Sequence, residues 1–154
     1  MMSDHTPFIR RAYALAAAAV AAGNHPFGAL LVRDGEVLLT AQNLVHTAVD
    51  VTAHAELTLV RHATRQLGLD LSGTTLYTST EPCLMCCGAI YWARIDRVVY
   101  GVAARSLELI TGGQFVIASA EIFGRLTPQI EVIGPLLEAE GLPLHHTYWS
   151  ARYP

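Results

Sequence analysis

Lysine is absent from this chain of 154 residues, and its ten arginines are scattered, drawing closest at Arg10-Arg11, Arg61 with Arg65, and Arg94 with Arg97. The formal charge is −3. No basic stripe of the kind that tracks a phosphate backbone results, which argues against a large polyanionic partner. Cysteine is scarce as well: three residues, all between 83 and 87. So tight a group offers no disulfide framework and fits a reducing cytoplasm. Long apolar runs are missing too. The alanine-rich stretch after Arg10-Arg11 has some features of a secretory leader. Alanine is weakly hydrophobic, however, and Tyr13 interrupts the run, so 10–23 reads as the first helix of a domain. Nothing is long and greasy enough to span a membrane. Charged residues make up 15% against 52% apolar, which excludes a disordered chain. The length suits one domain over 1–154 with a sizeable core.

The order of elements follows from periodicity and punctuation. Thr6 as cap and Pro7 at the first helical position open a helix over 8–22 that Gly23 stops. Two apolar runs, 27–33 and 36–42, flank Asp34-Gly35, a strong hairpin signal. Asn43 closes the second strand, where it serves equally as a turn residue or a substrate contact. A loop over 44–51 leads to Thr52, which caps a helix over 53–67. A β-branched strand at 74–79 turns through Thr80-Glu81-Pro82 into a helix over 83–93, and 97–102 is another strand. Helix–strand–helix–strand favours parallel crossovers with helices on the sheet faces. Residues 106–114 are ambiguous; 118–124 reads as a short helix, 130–133 as a fifth strand, and 135–140 as a further helix. An aromatic tail follows from about 142, with His145, His146, Tyr148, Trp149 and Tyr153. Its rings have three places to be buried: their own domain, a second subunit, or over a functional site.

Two short stretches organise the rest: His54-Ala55-Glu56 and Pro82-Cys83-Leu84-Met85-Cys86. One histidine and two cysteines are three zinc ligands, which leaves the fourth tetrahedral position for water. Cys-x-x-Cys lets both sulfurs converge when the segment opens a helix, whose positive end favours thiolate. Glu56, two residues beyond His54, suits proton transfer better than ligation. Two alternatives stand beside this: a structural zinc completed by Cys87 or His62, and a redox Cys-x-x-Cys pair. Neither calls for His-x-Glu at a helix start. Cys87 reads as a small buried helix residue.

These motifs, with Pro26-Phe27-Gly28-Ala29, Asn43 and Gly88-Ala89-Ile90-Tyr91-Trp92-Ala93-Arg94, resemble the cytidine-deaminase-like superfamily. The likeness is greatest to its guanine deaminase branch and runs over about 8–104. It implies a three-layer α/β/α sandwich with a five-stranded mixed sheet. It implies Zn2+ on His54, Cys83 and Cys86, and Glu56 as catalytic proton shuttle in hydrolytic deamination. It implies a small nucleobase or nucleoside substrate, with Asn43 hydrogen-bonding the base, Phe27 stacking on it and the Ala55 N–H holding a carbonyl or ring nitrogen. A cytoplasmic homodimer, with exchange of the C-terminal tail, is part of the same expectation. Where guanine deaminases carry an acidic residue after the fourth strand, this chain has Gly112-Gly113-Gln114, with Glu108 nearby as a candidate second proton shuttle. The substrate therefore stays open between guanine, another aminopurine, a cytosine-like pyrimidine, an aminotriazine and a nucleoside. A tRNA adenosine deaminase and a non-catalytic zinc module are the competing readings.

Overall fold

The computed structural model describes residues 4–113 and 116–152. The first helix, α1 (Thr6–Ala21), buries Ile9, Ala12, Ala16 and Ala19 on one face. That spacing is one helical stripe, and its small side chains let the helix lie close on the sheet. Thr6 is the first helical residue rather than the cap. The cap position belongs to His5, and the Asp4 carboxylate accepts the Thr6 N–H.

The hairpin forms as its turn dipeptide predicts. Strand β1 (Gly28–Arg33) pairs antiparallel with β2 (Glu36–Gln42). Asp34 and Gly35 take positive φ of 52° and 80°, the conformation that a two-residue hairpin loop demands. A short helix, α2 (Val45–Ala48), occupies the stretch expected as loop. Helix α3 (Ala55–Leu67), strand β3 (Thr75–Thr80), helix α4 (Leu84–Trp92) and strand β4 (Arg97–Val102) follow. The ambiguous segment is helix α5 (Ala104–Thr111), ended by Gly112 in the left-handed region. Then come α6 (Ser119–Gly124), β5 (Glu131–Ile133) and α7 (Glu138–Ser150).

The sheet runs β2-β1-β3-β4-β5. Strand β1 is antiparallel to both neighbours, while β3, β4 and β5 are parallel. One core of Leu59, Leu76, Ile90, Val98 and Phe123 fills the side covered by α3, α4 and α6. A smaller one of Ile9, Leu30, Tyr77 and Val99 fills the side under α1. This is the expected three-layer α/β/α sandwich around a five-stranded mixed sheet. The tail expectation is corrected: the chain does not leave the helix near 140 but continues helical to Ser150, with Pro143 inside. Tyr148 and Trp149 are buried against residues of the same chain; Tyr153 lies outside the described residues. Among the described residues no helix is long and apolar enough to cross a membrane.

Candidate active site

The site lies at the carboxyl ends of β3 and β4, where parallel strands hand the chain to helix N-termini. Thr52 does not cap α3. Its amide and hydroxyl both donate to Oδ1 of Asp50, at 2.8 and 2.7 Å, so the helix starts later. His54 takes the N-cap position with an extended backbone, and Glu56 falls in the first turn. Cys83 is likewise the N-cap of α4 and not its first helical residue, with Cys86 one turn on.

His54 Nδ1 lies 3.6 Å from Cys83 Sγ and 3.7 Å from Cys86 Sγ. A tetrahedral ion bonded at ~2.3 Å to sulfur and ~2.0 Å to nitrogen has N···S edges of about 3.6 Å, so the three atoms fit zinc. All three lie within 4.8 Å of one another, the one such group among the described residues. The two thiols compete for one negative charge. Hydrogen bonding from Cys86 holds Cys83 down at about 4, and the same bond, reinforced by burial, pushes Cys86 up. The hydrogen bond with Cys83 raises His54. A dication would allow both sulfurs to be thiolates.

Neither alternative fourth ligand is placed at the cluster. Cys87 is buried in α4 with its thiol against the Pro82 carbonyl, and burial raises its pKa. His62 is exposed on α3.

Glu56 is 5% exposed. Burial raises its carboxyl above the usual range, opposed by the Thr78 hydroxyl, which donates to Oε1 at 2.6 Å. Oε2 lies 3.6 Å from Cys86 Sγ. The carboxylate therefore sits beside the metal ligands without belonging to them.

A cavity of about 290 Å³ opens over this group. Phe27, His54, Glu56, Thr80, Glu81, Cys83 and Glu108 line it, together with apolar Leu107, Val116 and Ile117. Phe27 packs its ring near His145 and Trp149 of α7. Asn43 is buried beside this wall rather than lining the cavity. Its Oδ1 accepts from the amides of His25 and Val45, and its own N–H donates to the Phe27 carbonyl. Ala55, the first residue of α3, carries an amide with no partner inside the helix. Glu108 is ion-paired with Arg105 on the cavity rim. Gln114 lies outside the described residues.

Four residues at the site escaped the sequence reading. Thr78 and Thr80 share one face of β3, two residues apart. Glu81, read only as a turn residue, is a clamp: Oε1 accepts from the Ser119 amide and hydroxyl, and Oε2 from the Ala104 amide. It ties the β3–α4 turn to the starts of α5 and α6. His145, read only as part of a tail, hydrogen-bonds Thr80. The alternation of β3 could have flagged the threonines, because hydroxyls facing a core need partners. No local signal marks the other two.

A larger cavity of about 800 Å³ lies at the opposite ends of these strands, lined in part by Tyr91, Trp92, Arg94 and Asp96. It holds none of the residues above.

Comparison with known proteins agrees with the geometry. The pattern of the cytidine and deoxycytidylate deaminase zinc-binding region matches residues 2–102. A probable cytosine deaminase of Schizosaccharomyces pombe is 38% identical over 93% of this chain and 91% of its own length. The guanine deaminase of Bacillus subtilis is 50% identical, but over only 63% of this chain and 64% of its own. Among solved structures, a guanine deaminase from Nitrosomonas europaea superposes with a TM-score of 0.85 at 25% identity, covering 97% of this chain and 87% of that one. A tRNA:A34 deaminase superposes with a TM-score of 0.77 at 35% identity, covering 90% and 99%.

Proposed function

This chain belongs to the family of zinc-binding cytidine and deoxycytidylate deaminases, hydrolases that act on C–N bonds of amino-substituted heterocycles, and from that premise we propose that it is a guanine deaminase-like hydrolase of a small aminated nucleobase or nucleoside. The observation that carries the proposal is Glu56, a buried carboxylate hydrogen-bonded by Thr78 and set against a three-ligand cluster at the floor of a cavity. A structural zinc site has no use for such a group.

His54, Cys83 and Cys86 would hold the zinc, which when bound would supply Lewis-acid activation of a water as nucleophile. Glu56 relays the two protons of that water in turn, the first to the ring nitrogen as the oxygen adds to the carbon bearing the amine and the second from the new hydroxyl to the departing amine, so that water and an amino-heterocycle become its oxo form and NH3. The Ala55 amide, at the positive end of α3, holds a carbonyl or ring nitrogen. Phe27 stacks on the ring, and the Asn43 side-chain NH2, its oxygen held by the His25 and Val45 amides behind the cavity wall, is left to reach the edge of a base seated against that wall. Glu108, on the rim of the same cavity, is the candidate for a second proton transfer on a purine.

The lining favours an uncharged base over RNA. Glu56, Glu81 and Glu108 face the cavity and, among the described residues, no arginine lines it, an environment that repels phosphate. At about 290 Å³ it is also small for a ligand pocket. The chain as one catalytic domain, its assembly as a homodimer and its residence in a reducing cytoplasm are parts of the same reading. The exposed Trp92 at the end of α4, 80% accessible, supports a partner surface. Since α7 is seated on its own chain, tail exchange is not needed to bury its rings.

The test is ammonia release from guanine, adenine, cytosine, their nucleosides and aminotriazines, with zinc measured on the same sample. Guanine turnover supports the reading in full. Activity confined to cytosine moves the substrate to the pyrimidines, as the S. pombe relative suggests. A zinc-loaded protein inert on every base and shifting tRNA in a low-salt gel would replace it with the tRNA deaminase reading.

A further inference from the structure

We infer that a chain of hydrogen bonds from Trp149 through His145 to Thr80 fixes the Thr80 hydroxyl as a donor toward the cavity, and that Thr80 thereby selects substrates presenting a carbonyl oxygen there. This rests on the reading of the cavity as the substrate site.

The direction of the chain follows from the chemistry of its first member. The indole Nε1–H of Trp149 can only donate, and it donates to Nδ1 of His145 at 3.2 Å. Nδ1 is therefore unprotonated. A neutral imidazole with an unprotonated Nδ1 carries its hydrogen on Nε2. Nε2 faces Thr80 Oγ1 at 3.0 Å, so the hydroxyl oxygen is the acceptor of that bond.

An imidazolium would break this arrangement, since its Nδ1–H would oppose the indole N–H. The surroundings keep the ring neutral: burial lowers the His145 pKa to about 4. His145 is 2% exposed, and no alternative partner of either ring nitrogen is found among the described residues.

With its oxygen engaged by His145, Thr80 still has its own O–H to place. No protein acceptor for that hydrogen is found among the described residues, while Thr80 lines the cavity. The neighbouring Thr78 hydroxyl is already committed to Glu56 and to the Thr80 carbonyl. The remaining destination is the cavity. A buried donor left unpaired is costly, so such a site rejects a ligand lacking the matching acceptor far more strongly than it rejects a change of shape.

The polarity of the lining then has a pattern. Glu56 and Glu108 are carboxylates, and Thr80 is a donor held on another wall of the same cavity. A heterocycle with N–H groups on one edge and a carbonyl on another satisfies both sides. One that carries only amino groups leaves Thr80 unpaired.

The experiment compares matched pairs: guanine with 2-aminopurine, and cytosine with 4-aminopyrimidine, each pair differing by one carbonyl. In Thr80→Val, which keeps the shape and removes the hydroxyl, kcat/KM for the carbonyl-bearing member should fall about tenfold, mainly through KM. Its partner should be unaffected or improved, and Thr80→Ser should restore discrimination. Trp149→Phe, which frees His145 to change tautomer, should erode it in the same direction. Equal losses on both members of a pair overturn the proposal.

A second measurement is independent of turnover. Nitrogen-15 spectra of the wild-type protein should show His145 at pH 7 with Nε2 protonated and Nδ1 bare. A protonated Nδ1 overturns the relay even in an active enzyme. Titrating the same pairs into Glu56→Gln protein reads the contact without chemistry, so failure of the deaminase reading and failure of the relay give different patterns.

Discussion

His54 and Cys83 stand at the same position, the N-cap, of two different helices, and His54 Nδ1 lies 3.6 Å from Cys83 Sγ. Two helix N-termini thus converge on one point. Their unpaired amides and aligned dipoles favour anions, which suits a thiolate ligand and an oxygen nucleophile. The arrangement also explains the spacing of the motifs. An N-cap side chain sits outside the helical stripe, so His54 and Glu56 reach one point from positions two apart, which mid-helix geometry forbids.

Removing a ligand should remove the metal, and removing the third cysteine should not. His54→Ala and Cys86→Ala are expected to lose zinc by elemental analysis. Cys87→Ala should retain full zinc occupancy, with a stability loss of about 1 kcal/mol from the small cavity it leaves. Loss of zinc from Cys87→Ala would show that the ligand set is misassigned.

Glu56→Gln should keep zinc and lower ammonia release by roughly 10²- to 10⁴-fold, the usual weight of a general acid–base group. Zinc stoichiometry and turnover measured on one preparation decide it. Near-normal rates would end the proton-shuttle role.

Thr78 orients that carboxylate, at 2.6 Å, and is not among the residues lining the cavity. Thr78→Val should leave zinc in place and slow turnover by roughly 10- to 100-fold, since a charge-assisted hydrogen bond contributes roughly 1.5–3 kcal/mol. The drop should appear in kcat rather than KM; a change in KM alone would move Thr78 into the binding surface.

Acid should destabilise the fold through His145. Its pKa is lowered by burial from 6.5 to about 4 in the folded protein. Between those values the unfolded chain binds more protons, so stability rises with pH across the window. It is complete above about 6.5 and falls as pH drops toward about 4. The loss is on the order of 3 kcal/mol. Denaturant unfolding at pH 7 and pH 4.5 should show a smaller difference for His145→Gln than for the wild type; an equal difference would assign the effect to other groups.

Gly28 is where α1 meets the sheet. A methyl group there would stand 2.5 Å from Leu15 Cβ and 2.6 Å from both the Ala12 carbonyl and the Ala16 amide. Two of these are helix backbone and cannot rotate aside. Gly28→Ala should lower stability by about 1–3 kcal/mol, seen as a lower denaturation midpoint with zinc still bound.

Strands β2 and β4 occupy the residues read as strands from the sequence, and Asp34-Gly35 made its turn, because these signals are local. Helix starts were less legible. Thr52 looks like a cap, but its hydroxyl is claimed by Asp50, a competition between side chains that spacing does not show. The final helix contains Gly141 and Pro143, residue types unfavourable in a helix interior, so its length is not legible locally. Gly141 is needed because a methyl group there would meet the Tyr13 ring at 2.4 Å, a contact with the opposite end of the chain.

The sequence alone determined the ligand set and the reaction class, and marked out Glu56 for the proposed shuttle, because metal chemistry demands particular atoms and two short motifs supply them within a few residues. It also pointed to a tight hairpin and to parallel crossovers, the connections from which a mixed sheet is built. Only the tertiary structure decided what surrounds those atoms. The partner of Glu56 lies 22 residues away and that of Thr80 lies 65 away. Which hydroxyl faces which group is set by strand pleat and by how α7 packs, so hydrogen-bond direction at the cavity wall exists only once the layers have assembled.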